Sequence, residues 1–196
     1  MPIPKNIKQE LKNKTANYTH LDLQSRNISD DDIPELCSLL KNNPQITSID
    51  VTRTNLTKKS AELLATLPLE ELTFSNTYLH DAGASFLLKN PTIRYLDMRK
   101  CGLSNAIEDD ILNNNTITYL EVSQNKNISA ELLQKIKKHV AKNKFNADAT
   151  HNNGQPLSFL FKAKENTHNT RDSKDTNKII SPVSQTESEL NKKNKL

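Results

Sequence analysis

The densest group of chemically active side chains in the sequence is a run of three carboxylates, Glu108, Asp109 and Asp110. Such a run raises the question of a metal site or an acid–base site. Consecutive residues of a helix point in different directions and do not face one point. We therefore interpret these carboxylates as the solvated surface of a helix. No partner at metal-ligand spacing accompanies any of the five histidines, which are His20, His80, His139, His151 and His168.

Nucleophilic and phosphate-binding motifs are also missing from the sequence. Its three glycines, Gly83, Gly102 and Gly154, do not form a phosphate-binding loop. Neither Cys37 nor Cys101 belongs to a nucleophile signature. We interpret both as buried thiols in a reducing compartment, with a disulfide or a reactive site as the alternatives. The sequence therefore predicts a protein that is not an enzyme and that needs no metal and no cofactor.

Charge is distributed unevenly along the 196 residues, whose formal net charge is +4. The segments 1–17 and 146–196 are basic, so the region between them is close to neutral. A near-neutral body argues against general nucleic-acid binding, which requires a basic stripe. No apolar run approaches the roughly 20 residues of a membrane span. The first residues also lack the apolar core of a secretory signal.

The elements that would position any site follow from an apolar pattern that recurs about every 24 residues. Apolar residues occupy positions 1, 4, 6 and 11 of each unit. The first four units are Tyr18, Leu21, Leu23 and Ile28; Ile46, Ile49, Val51 and Leu56; Leu69, Leu72, Phe74 and Leu79; and Ile93, Leu96, Met98 and Leu103. In the fifth unit, Ile117, Leu120 and Val122 fill positions 1, 4 and 6, and Ile128 comes one residue after position 11. Alternation at positions 3 to 7 predicts a strand at the start of each unit. Helix-capping residues follow each strand, and they are Ser29, Thr57, Asp81, Ser104 and Ser129.

The strings GASFLLKNPTIRYLDM, LLKNNPQITSIDV and NNTITYLEVSQN resemble leucine-rich repeats of the ribonuclease-inhibitor-like type. The resemblance covers residues 18–145. It implies an α/β fold, a right-handed leucine-rich-repeat solenoid of about five β-α coils with a concave parallel sheet and convex helices. It also implies a general binding scaffold. At position 9 the family usually has Asn or Cys. Cys101 and Asn125 fit this pattern, whereas the first three coils depart from it with Arg26, Thr54 and Thr77. We expect threonine to replace part of the usual hydrogen bonding and Arg26 to point outward.

Three regions are predicted. Residues 1–17 form an N-terminal capping helix, which covers the open end of the first repeat. Residues 18–145 form the repeats, and residues 146–196 form a polar, largely disordered tail. The last helix, Ala130 to Lys144, is basic and amphipathic. We interpret it as the helix of the fifth repeat, with a calmodulin-type target or a membrane-surface segment as the alternatives.

The concave face carries the candidate binding residues. Position 5 forms an acidic column, which is interrupted once by Thr73. This column either serves binding or only keeps the face soluble. Exposed Tyr and Arg, which are enriched at binding hot spots, gather on the fourth and fifth strands. The predicted partner-binding residues are Asp50, Arg53, Arg94, Tyr95, Asp97, Arg99, Lys100, Tyr119 and Glu121. The expected partner is a protein, and the sequence makes no prediction about oligomeric state.

The C-terminal sequence SQTESELNKKNKL adds a biological setting. It resembles the C-terminal translocation signals of leucine-rich-repeat effectors of intracellular Gram-negative bacteria, which a Dot/Icm-like type IV secretion system delivers. The resemblance implies a protein of the bacterial cytoplasm that is secreted into the host-cell cytosol and binds a host protein. The alternative is an intracellular bacterial scaffold or regulatory interaction protein.

Overall fold

A computed structural model of the protein describes residues 3–151. Strands and helices alternate along this part of the chain. The strands are β1 (His20–Asp22), β2 (Ser48–Asp50), β3 (Glu71–Thr73), β4 (Tyr95–Asp97) and β5 (Tyr119–Glu121). The helices are α1 (Lys5–Asn13), α2 (Ile33–Lys41), α3 (Lys58–Leu64), α4 (His80–Leu88), α5 (Glu108–Asn113) and α6 (Ala130–His151). Short 3₁₀ turns at Asp30–Asp32 and Asn105–Ile107 lead into α2 and α5.

All five strands are parallel and lie in one sheet in the order β1-β2-β3-β4-β5. Each strand covers positions 3 to 5 of its repeat, so equivalent residues face each other across the sheet. Position 3 contributes a row of His20, Ser48, Glu71, Tyr95 and Tyr119, which we call the position-3 row. The structure confirms the predicted α/β fold, in which repeats of similar length place each new strand beside the previous one.

The core lies between the sheet and the helices. Side chains at positions 4 and 6 point into it because neighbouring strand residues point to opposite sides. Leu72 and Phe74 of the third coil are both completely buried. Each such side chain stabilises the fold by about 1.5–3 kcal/mol relative to an exposed one. Positions 3, 5 and 7 therefore point to the side away from the helices, which we call the open face.

Four buried asparagines join the helix ends to neighbouring coils, a feature that the sequence analysis did not predict. They are Asn43, Asn90, Asn114 and Asn143. The amide nitrogen of Asn114 donates to the carbonyl oxygen of Leu88 at 2.8 Å, and its amide oxygen accepts the N–H groups of Thr116 and Ile117. Asn90 makes the equivalent bonds one coil earlier. These side chains satisfy backbone groups that a helix end would otherwise leave buried without partners.

Position 9 shows the graded bonding that we expected. Asn125 donates to the carbonyl oxygens of Met98 and Val122 and accepts the N–H groups of Cys101 and Leu103. The hydroxyl groups of Thr54 and Thr77 each donate to the carbonyl oxygen three residues earlier, and that of Thr77 also lies 3.7 Å from the sulfur of Cys101. Arg26 is exposed. The bonding at position 9 therefore becomes more extensive toward the C-terminal coil.

Both ends of the repeat array carry helices. Leu11 of α1 is buried in the core, and Lys8 of α1 pairs with Glu35 of α2 at 2.5 Å. Helix α6 continues to His151, seven residues beyond the predicted end at Lys144, so that the first residues of the predicted tail are helical. The extension has a local cause, because no glycine or proline interrupts residues 145–151 and the next ones come at 154 and 156. The rest of the predicted tail lies outside the described residues.

Candidate functional site

The parallel register brings two tyrosines together on the open face. Tyr95 on β4 and Tyr119 on β5 are direct partners across the sheet. Their rings are stacked, with centroids 4.3 Å apart and planes 1° from parallel. Tyr95 is half-buried, whereas Tyr119 retains 44% of its accessible surface. The pair forms an aromatic platform with one exposed member.

Burial raises the pKa of the Tyr95 hydroxyl, and the neighbouring Tyr119 hydroxyl adds to the shift. Tyr95 therefore stays protonated at neutral pH and keeps a hydrogen-bond donor on the open face. A tyrosine of this kind offers an apolar ring and a polar tip to the same partner. The platform is suited to packing against a mixed polar and apolar protein surface.

Asp97 and Arg99 form a bidentate ion pair beside the platform. The Arg99 Nε donates to Oδ1 and Oδ2 of Asp97 at 3.0 and 2.9 Å, and its Nη2 donates to Oδ2 at 2.6 Å. These hydrogen bonds raise the pKa of the guanidinium further. Asp97 is only 2% exposed, whereas Arg99 is exposed. Asp97 therefore acts on the open face as a positioning residue, because it fixes the direction of the exposed Arg99.

The acidic column at position 5 has a structural role in every coil that carries it. Each carboxylate accepts the backbone N–H of the residue two places later, at distances of 2.7–3.0 Å. The acceptors are Asp22, Asp50, Asp97 and Glu121. Such bonds satisfy the turn that follows each strand. Asp50 and Glu121, both predicted to bind a partner, are half-buried and have this turn bond in common.

The N-terminal members of the position-3 row are linked to each other, which the sequence analysis missed. The Ser48 hydroxyl donates to Oε2 of Glu71 at 3.0 Å, and Nδ1 of His20 lies 2.7 Å from the same hydroxyl oxygen. The register of the repeats was the signal that could have revealed this chain of contacts, because it aligns the three residues on adjacent strands. These polar groups satisfy one another within the protein.

The remaining predicted residues are cations that lie at the edges of the open face. Arg94 precedes β4 and is exposed. Arg53 and Lys100 occupy position 8 of their coils, in the turn that follows each strand, and both are exposed. They line one groove of about 230 Å³ together with Arg99. Eight of the nine predicted residues thus fall on the strands of the open face and on the turns at the carboxyl ends of those strands, whereas Arg94 lies just before β4.

Within residues 3–151, no cluster of three or more His, Cys, Asp or Glu is arranged to hold a metal ion. Across the same residues, no helix combines the length and the apolar character needed to cross a membrane. Cys37 and Cys101 are free and buried, and burial raises the pKa of both thiols. Both features agree with the interpretation of the cysteines as buried thiols. That the protein is not an enzyme stays a prediction.

Comparison with known proteins agrees with this architecture. A family model described as a leucine-rich repeat matches residues 89–110, which span the end of α4 to the start of α5. The match covers 22 residues and agrees with the leucine-rich repeats that the sequence predicts. No curated protein matches the sequence at a significant level.

Two solved structures have a similar fold. The tropomodulin C-terminal domain of Caenorhabditis elegans aligns with a TM-score of 0.56 and 17% identity, covering 71% of this chain and 92% of that domain. Leiomodin-1 actin-binding site 2 aligns with a TM-score of 0.60 and 14% identity, covering 85% of this chain and 99% of that chain. At these identities the likeness shows the fold alone.

Proposed function

We propose that this protein is a non-enzymatic interaction module of the leucine-rich-repeat type that binds a partner protein through the open face, which we predicted to be concave. The observation that carries the proposal is the stacked Tyr95–Tyr119 platform, whose outer member is 44% exposed. Tyrosine and arginine are the residue types enriched at binding hot spots. Arg94 and the oriented Arg99 lie on or next to the same strand as Tyr95.

The test is affinity capture from host-cell cytosol, read by mass spectrometry. The wild-type chain is compared with the double variant Tyr95→Ala/Tyr119→Ala. Arg99 is left in place because its removal would leave the buried Asp97 carboxylate without its partner. The matched control is Phe86→Ala, which removes a 38% exposed aromatic side chain from α4 on the helix side.

We expect at least one protein to be retained by the wild type and by Phe86→Ala and to be lost with the tyrosine double variant. Circular dichroism of each variant checks that the fold is intact. Retention that is equal in all three proteins would contradict a role for the platform. Binding of the three proteins to purified actin is measured separately, because the similar leiomodin-1 domain is named an actin-binding site.

We further propose that the protein is a secreted bacterial effector, present in the bacterial cytoplasm and delivered into the host cytosol to bind a host protein. The sequence SQTESELNKKNKL supports this proposal. A translocation reporter is fused to the intact chain and to a chain that lacks residues 176–196. We expect delivery to be lost with the truncation, and equal delivery would rule out a signal in this segment.

The alternative is an intracellular bacterial scaffold or regulatory interaction protein. It has the same binding face and differs in the compartment of its partner. Capture from bacterial lysate, with the same three proteins, distinguishes the two. A partner that is retained only from bacterial lysate, and that is lost with the tyrosine double variant, would support the scaffold.

A further inference from the structure

The turns that follow the five strands share an unusual backbone conformation. Position 8 of every coil lies in the left-handed region, with φ between 52° and 63°. Glycine and asparagine adopt this conformation at the lowest cost, yet only the third coil has one of them, Asn76. The second and fourth coils have Arg53 and Lys100 instead. The backbone therefore does not explain the choice of two long cationic side chains at these positions.

These residues line a groove across the carboxyl ends of the strands, which we call the cationic groove. Its cations are Arg53, Arg99 and Lys100, and its hydrogen-bonding groups include Thr52, Ser75 and Asn76. One glutamine from the first coil and one from the fifth complete the lining, so no carboxylate among residues 3–151 lines the groove. A second groove of about 360 Å³ adjoins it and shares Arg53, Asn76 and Lys100. The shared cations thus border both grooves, and no acidic side chain from the described part of the chain lines either one.

The charges in the cationic groove are unequally compensated. Arg99 is paired with Asp97. Arg53 and Lys100 form no ion pair within residues 3–151. In the same part of the chain, the hydroxyl groups of Thr52 and Ser75 make no hydrogen bond. The groove therefore offers two uncompensated positive charges and two free hydroxyl groups.

The spacing of the two charges favours an extended acidic segment. Arg53 and Lys100 are two coils apart, which corresponds to roughly 10 Å at ~4.8 Å per strand. Three residues of an extended peptide cover a similar length at about 3.3 Å each. Two uncompensated charges are few for nucleic acid, whose affinity grows with the number of neutralised phosphates. A short peptide with spaced carboxylates fits the charge and the length better.

We propose that the cationic groove binds an extended, Asp- or Glu-rich segment of the partner protein. This inference rests on the proposed function, since it gives the chemistry of one part of the partner. The platform at Tyr95 and Tyr119 would hold the mixed apolar part of the same partner. The groove would select partners by charge, which acts on association and specificity.

The experiment uses the full chain and fluorescence anisotropy at low ionic strength. The probes are a short labelled peptide of alternating Glu and Ser and a matched peptide of Gln and Ser. The groove variant is Arg53→Asn/Lys100→Asn, because asparagine tolerates the left-handed conformation, so we expect the fold to be retained. The control variant is Lys138→Gln/Lys142→Gln, which removes two charges from exposed positions of α6.

We expect the wild type to prefer the acidic peptide, with binding that weakens as salt is added. The groove variant should lose about tenfold in affinity for it, while the α6 variant keeps wild-type affinity. No preference for the acidic peptide, or an equal loss in both variants, would overturn the proposal. Tighter binding of a single-stranded oligonucleotide, lost in the groove variant, would reassign the groove to nucleic acid.

Partner capture separates this inference from the proposed function. A partner that is lost with Tyr95→Ala/Tyr119→Ala and retained by the groove variant would overturn the groove and leave the binding face intact. Failure of the tyrosine variant to affect any partner would count against the face. The peptide measurement would still decide the groove, because it needs no identified partner.

Discussion

The two halves of the position-3 row have the same backbone and different chemistry. In the N-terminal half, His20, Ser48 and Glu71 are joined by hydrogen bonds across three strands. In the C-terminal half, Tyr95 and Tyr119 stack on each other and leave ring surface uncovered. One half thus satisfies its polar groups internally, whereas the other has apolar surface that the rest of residues 3–151 leaves uncovered. A regular repeat can therefore confine exposed aromatic surface to a few coils without a change of fold.

The coils also differ below the surface, and this contrast gives the largest expected effect. Asn125→Ala in the fifth coil removes four hydrogen bonds to buried backbone groups. We expect it to lower the free energy of unfolding by about 3 kcal/mol. Thr54→Val in the second coil removes one bond to a carbonyl oxygen and should cost about 1 kcal/mol. Urea unfolding followed by circular dichroism measures both, and equal losses would break the contrast between early and late coils.

The acidic column allows the next comparison. Asp97→Asn removes the negative charge from a 2% exposed side chain that holds Arg99 by three hydrogen bonds. We expect a loss of about 2 kcal/mol in the free energy of unfolding, because hydrogen bonds between charged groups are the stronger kind. Asp22→Asn in the first coil changes an exposed side chain with one backbone bond, and it should cost about 0.5 kcal/mol. A larger loss at Asp22 would show that the column stabilises the N-terminal half instead.

Helix starts differ in their response to acid. Burial of Asp30 disfavours its charged form and so acts to raise its pKa. Hydrogen bonds from Ser60 and Thr57 favour the charged form more strongly, and the pKa therefore lies below 3.8. Its stabilising effect is therefore present above pH 3.8 and is lost as the pH falls through the lowered pKa. We expect Asp30→Asn to cost about 1 kcal/mol at neutral pH, with the difference from wild type closing below that range.

The control for this pH effect is at a later helix start. Asn105 accepts the N–H of Ser129 and has no charge to lose. The cost of Asn105→Ala should therefore not change over the same acidic range. Unfolding measured at a series of pH values gives both results, and a pH-independent cost at Asp30 would contradict the explanation.

The smallest effect concerns the position-3 row itself. A double-mutant cycle of Tyr95→Ala and Tyr119→Ala should give a coupling energy of about 0.5–1 kcal/mol from the stacked pair. The cycle of His20→Ala and Ser48→Ala should give about 0.5 kcal/mol, since the contact is partly exposed. Unfolding of the single and double variants measures each coupling. A stronger coupling in the N-terminal pair would reverse our view of the two halves.

The sequence predicted the fold well because the apolar spacing carries both the strand positions and their register. The frame aligned Tyr95 with Tyr119, and the structure pairs these residues on adjacent strands. The buried asparagines were missed although Asn90 and Asn114 are 24 residues apart. In a chain rich in asparagine, spacing alone does not separate a buried amide from an exposed one.

The candidate site was less predictable than the fold. Its side chains could be assigned to columns, but their mutual bonding depends on the turn geometry that follows each strand. The frame gave no sign that Asp97 is buried and holds Arg99, because residues two places apart share only a face. Whether the nine predicted residues bind a partner stays a prediction.

The buried asparagines have a consequence for how the molecule can change its length. Asn90 bonds backbone groups of the previous coil and of its own turn, and Asn114 repeats these bonds 24 residues later. A duplicated segment 90–113 would therefore present the same donors and acceptors at both of its junctions. Coils could therefore be added in register, by gene duplication or by design, without a new type of contact. The number of repeats therefore sets the width of the open face, which can change by whole repeats while the two ends stay as they are.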